Sequence, residues 1–133
     1  MVNLFKTRQI RDAINAKPEE VQEIINASEY GICITNASGN FAYVNDKYTE
    51  IYGYSREELV GQHFLMVVPE ESKEHLNDLH EDFIASQREI SRSWVVLNKA
   101  GKRMRIAVDA RFSDKLNKQP HKITFVELLE ILD

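Results

Sequence analysis

The chain has one cysteine, Cys33, so no internal disulfide can form and a packed core must hold the fold. A lone thiol suits a reducing compartment. Long apolar runs are also missing, and nothing approaches the roughly 20 consecutive residues that a spanning helix needs. The opening MVNLFKTRQIRDAINAK is charged throughout and lacks the apolar centre of a signal peptide, which points to a cytoplasmic protein. Charge of one sign is scarce: 17 basic residues face 21 acidic ones for a net charge of −4. Without a lysine–arginine run, direct binding to nucleic acid is not expected. Repeats and low-complexity tracts are lacking too. So are a glycine-rich phosphate loop, a paired-histidine metal motif and a nucleophile elbow. The carboxylates fall in adjacent pairs (Glu19–Glu20, Glu57–Glu58, Glu70–Glu71, Glu81–Asp82), a pattern of solvated helix faces. These gaps together exclude an evident enzyme.

What is present is a well-punctuated pattern over 133 residues, enough for one domain with a core of its own. Leu4, Ile10 and Ile14 are spaced as an amphipathic helix. Lys17 precedes Pro18 and must leave helical geometry, so that helix ends there. Pro18, followed by Glu19 and Glu20, opens a second helix with Val21, Ile24 and Ile25 inward. Residues 30–36 and 40–45 read as a hairpin across the turn ASGN. Asp46 to Gly53 is helical, and Ser55 with Glu58 makes a capping box that opens another short helix, ended by Gly61. A compact turn over 63–68 leads past Pro69 to a longer helix over 70–86, with Leu76, Leu79, Phe83 and Ile84 inward. Strands follow over 90–98 and 103–112, then a last strand HKITFVELL. Met104, Ile106, Val108 and Ala110 alternate with Arg103, Arg105, Ala107, Asp109 and Arg111, which predicts a strand with one wet side. Helices segregated from an antiparallel sheet give an α+β fold.

The stretch ITNASGNFAYVNDKYTEIYGYSREELVGQHFLMVVPEES, residues 34–72, resembles the PAS family. The residues that carry the resemblance are Gly39, Asn45, Gly53, Tyr54, Ser55, Glu57, Glu58, Leu59 and Gly61. The turn Lys99–Lys102 and the alternating strand after it resemble the family's later hairpin. The resemblance implies a five-stranded antiparallel sheet with helices on one face around an interior pocket. It divides the chain into an N-terminal helix, residues 1–17, that serves as cap or dimer contact, and a PAS domain, residues 18–133. It implies a sensory module that binds a small ligand or cofactor, or dimerises, to regulate an output such as a histidine kinase, cyclase or transcription regulator. The alternatives are a ligand-free dimerisation scaffold and a haem-based gas or redox sensor.

The expected pocket residues are Ile32, Ile34, Tyr43, Tyr48, Phe64, Leu79, Phe83, Trp94, Ile106 and Val108. Haem-binding members carry their iron-ligating histidine on the helix corresponding to residues 70–86 or near His63, so His75, His80 and His63 are the candidate ligands. Light-sensing LOV members need a reactive cysteine within a motif that matches GQHFLMVV here, where Phe64 takes its place. Covalent flavin chemistry is therefore not expected, and Cys33 reads as a small buried hydrophobe. Non-covalent flavin stays open, with Trp94 as a ring neighbour. Leu4, Phe5, Ile10 and Ile14 are the expected contact in a homodimer.

Overall fold

The computed structural model describes residues 2–132 and shows one five-stranded antiparallel sheet with helices on both faces. The order along the chain is α1 (Leu4–Ala16), α2 (Val21–Asn26), β1 (Gly31–Asn36), β2 (Phe41–Val44), α3 (Asp46–Tyr52) and α4 (Arg56–Leu59). Then come α5 (Lys73–Ser86), β3 (Ile90–Leu97), β4 (Arg103–Ser113) and β5 (His121–Leu132). Across the sheet the strands run β2-β1-β5-β4-β3, so the last strand lies at the centre beside the first. That placement closes the sheet around a long-range pairing and leaves β2 and β3 as its edges.

Local chemistry explains most boundaries. The Asn3 side chain accepts hydrogen bonds from Phe5 and Lys6 N–H and so caps α1. Lys17 ends α1 ahead of Pro18, as the sequence requires. Both halves of the Ser55/Glu58 capping box are formed at α4. Gly53 ends α3 at φ 79°, a left-handed conformation that a side chain would resist.

Asn45 does more than cap α3. Its Oδ1 accepts from Tyr48 N–H and from Ile32 N–H, while its Nδ2 donates to the carbonyls of Ile25 and Tyr30. One buried amide thereby joins α2, β1 and α3. The polar groups that it satisfies would otherwise be buried without partners.

The core has two layers, one on each face of the sheet. On the concave side, α3, α4 and α5 pack Tyr48, Tyr52, Leu59 and Leu76 against Cys33, Val96, Met104, Ile106 and Val108. On the other side, Ile14 of α1 and Val21 and Ile25 of α2 cover Ile32, Ile34, Ile123 and Phe125. The helix after Pro18 thus sits opposite the other helices of the domain, over the face that Ile32 and Ile34 of β1 and Ile123 and Phe125 of β5 make apolar.

The same arrangement corrects the reading of β4. Arg103 and Arg105 are exposed, but Asp109 and Arg111 are 0% and 1% accessible. The expected wet side is wet only at one end. α1 covers the rest, and the polar groups beneath it pair with one another. Thr7 Oγ1 donates to Asp109 Oδ2 at 2.6 Å, and Arg111 Nε donates to the same oxygen at 2.9 Å. Arg111 also pairs with Glu89. A buried ion pair of this kind is tolerated only with such partners.

Candidate functional site

The concave face of the sheet, α3, α5 and the turn over Phe64–Val67 enclose a cavity of about 60 Å³. The strands supply its floor. Because side chains alternate along a strand, β1 contributes Cys33 and Thr35, and β5 contributes Lys122, Thr124 and Val126. Ile106, Val108 and Ala110 come from β4, and Ile90, Trp94 and Val96 from β3. The roof is Tyr48 and Tyr52 of α3, Leu76 and Leu79 of α5, and Phe64, Val67 and Val68. Tyr48 and Tyr52 stack at 4.2 Å between ring centroids, and Phe41 meets Tyr48 edge-on.

Six of the expected pocket residues line this cavity: Tyr48, Phe64, Leu79, Trp94, Ile106 and Val108. Ile32, Ile34 and Tyr43 lie on the opposite face, in the layer under α1 and α2. Phe83 is buried beside Phe112 and Lys122 but is not part of the lining. The reason for the misplaced isoleucines is plain. A strand buried on both faces carries no polar side to mark which residues look inward. Sequence reasoning missed Lys122, Thr35 and Thr124. For Lys122 and Thr124 the signal was present in HKIT, where both alternate with the fully buried Ile123 and so share the face opposite to it.

Burial dominates the electrostatics of the site. Burial pushes the Cys33 thiol up to about 11, so it stays protonated at neutral pH despite the nearby Lys122 charge. Burial likewise raises the Tyr48 and Tyr52 phenols, keeping both neutral. Lys122 moves the other way: desolvation lowers its ammonium to about 8. Its Nζ lies 4.9 Å from the ring centroid of Phe64 and 5.9 Å from that of Phe83.

None of the candidate histidines lines the cavity. His75 is exposed on α5. His80 is buried, and its Nε2 donates to the carbonyl oxygens of Asn36 and Ala37, both at 3.1 Å. Desolvation lowers its pKa to about 4, with the Lys122 charge adding to the effect. Its Nδ1 has no hydrogen-bond partner among the described residues. His63 stacks on Phe64, and its Nδ1 accepts from Leu65 N–H. Its imidazole also sits where a Cβ on Gly39 would meet it at 2.6 Å, which fixes Gly39, at φ 87°, as glycine. The residues present do not fit haem: no imidazole points into the chamber. Nor does the chamber fit haem or flavin in size, because pockets for molecules of that class measure roughly 300 Å³ or more. Among the described residues, no group of three metal-ligating side chains comes together.

The PAS fold pattern matches residues 19–120. The chain belongs to the PAS family. Solved PAS structures share its fold across most of its length. The PAS domain of a protein from Colwellia psychrerythraea aligns at 18% identity and a TM-score of 0.73, covering 84% of this chain and 96% of that one. A PAS domain from a two-component sensor histidine kinase aligns at 17% and 0.70, covering 86% and 97%. The PAS domain of a LuxR-family transcriptional regulator from Burkholderia thailandensis, solved in complex with ethanol, aligns at 16% and 0.65, covering 80% and 95%. No curated protein matches the chain. In this PAS domain, α1 lies ahead of the matched region, and no helix among the described residues is long and apolar enough to cross a membrane.

Proposed function

We propose that this PAS domain is a sensory module that binds a small molecule in its concave cavity, catalyses nothing, and passes the change to an output protein or domain. The cavity is the observation that carries the reading. A volume of about 60 Å³ amid otherwise close-packed side chains is more than folding alone requires. At roughly 10–15 Å³ per water-sized centre, it corresponds to a ligand of about 4–6 non-hydrogen atoms. The ethanol complex of the Burkholderia thailandensis PAS domain is consistent with ligands of that class. The histidine-kinase and transcription-regulator relatives suggest the kind of output. A ligand shifts such a module only by binding two arrangements with unequal affinity.

The test is a screen of small organic molecules by NMR, read on the amide and indole signals of the cavity walls. Shifts clustered on Trp94, Ile106 and Thr35 and lost in Ala110→Leu, which fills the chamber, are expected. Shifts that survive the filling would place binding elsewhere, and a silent screen would leave the scaffold reading.

Exposed apolar residues on α1 favour a second copy as partner. Leu4 and Phe5 are 41% and 69% accessible, whereas Ile14 is wholly buried against its own sheet and Ile10 partly so. The dimer contact in this reading is therefore Leu4 and Phe5, and Phe5→Glu should give monomers by light scattering.

A further inference from the structure

Lys122 enters the cavity from the central strand, yet no carboxylate meets it among the described residues; its neighbours are rings. The ionisable groups close to it do not supply a negative charge. The Cys33 thiol and the Tyr48 phenol stay protonated through burial. His80 is a second basic group beside it, with Nε2 bound to backbone carbonyls. Lys122 is half-buried, so its ammonium is partly stripped of water without a counter-charge, and ring faces offset only part of that cost.

A second observation points to the same spot. Thr35 of β1 is the register partner of Lys122 on β5. Directly opposed residues share a face of the sheet with Cβ atoms about 5 Å apart. The Thr35 hydroxyl is buried and has no hydrogen-bond partner among the described residues. A charged donor and an unused donor thus stand side by side at one end of the chamber. Trp94, Ile106 and Val108 make the other walls apolar.

We propose that the cavity binds a monocarboxylate of two to four carbons, its carboxylate accepting hydrogen bonds from Lys122 Nζ and Thr35 Oγ1 and its alkyl chain lying against Trp94, Ile106 and Val108. This rests on the cavity being a ligand site and adds the ligand's chemical class. One ammonium matches one negative charge, and a carboxylate has two acceptor oxygens for the two donors. A phosphate of the same size would bring further charged oxygens against hydrocarbon walls, which is unfavourable. The alkyl tail of a short acid uses those walls instead.

Propionate and its neutral isostere propionamide, titrated calorimetrically with the Trp94 indole followed by NMR, separate the possibilities. Propionate should bind about tenfold or more tightly than propionamide, as a charge-assisted pair implies. Lys122→Met should lose that preference while still taking propionamide, and Thr35→Val should weaken propionate severalfold. Lys122→Gln repeats the test should the methionine variant fold poorly. Equal binding of acid and amide, unaffected by Lys122→Met, would overturn the carboxylate assignment and leave the cavity a ligand site. No response to either compound would overturn it too. If the wider small-molecule screen were also silent, the ligand-site reading would fall with it.

Discussion

Asn45 shows how much one side chain can carry. Its four hydrogen bonds hold α2, β1 and α3 together inside the core. Asn45→Ala should cost about 3 kcal/mol, because two N–H groups and two carbonyls lose their partners at once. Urea unfolding of the variant measures this directly. Lys122 should behave in the opposite way. With no ligand bound, Lys122→Met removes a desolvated charge and should stabilise the protein by roughly 1 kcal/mol, seen as a higher Tm. His80 sets a pH dependence. Its pKa is about 4 in the fold against 6.5 for the free side chain, so below pH 6.5 the unfolded chain takes up a proton that the folded one refuses. Stability is therefore fullest above pH 6.5 and declines as pH falls towards 4. Unfolding curves across that range should show a smaller decline in His80→Gln.

Among the elements, α1 acts as a lid on the outer face of the sheet as well as a lead-in. Thr7 secures it to Asp109, whose other carboxylate oxygen has no partner among the described residues. Thr7→Val should therefore cost about 1–2 kcal/mol and loosen α1 selectively. Hydrogen exchange is expected to rise in residues 4–16 before it rises in β4. Helix and strand limits were readable because each is set by a local device: Pro18 after α1, the Ser55/Glu58 box at α4 and Gly53 after α3. Which face of β1 or β4 meets which layer was not. Ile32 and Ile34 looked like pocket residues, and Asp109 and Arg111 looked solvated, because alternation fixes two faces without saying what covers each.

For the whole molecule, the PAS architecture was legible from residues 34–72 and from the order of elements, since glycine turns and caps recur at defined places in such a fold. The chamber was not legible in the same way. Its volume depends on how Tyr48, Tyr52, Phe64 and Trp94 pack across sequence-distant elements, and no local pattern encodes that. The chamber's one charge, Lys122, was overlooked because a lysine on a strand ordinarily marks a surface. The account turns on whether the space between the sheet and α3 and α5 is accessible to a small guest. A crystal of the protein under xenon pressure tests that most directly, since apolar cavities of this kind take up xenon. The account predicts xenon density bounded by Trp94, Ile106, Val108 and Leu79. Side chains filling that volume, with no site for xenon, would contradict it.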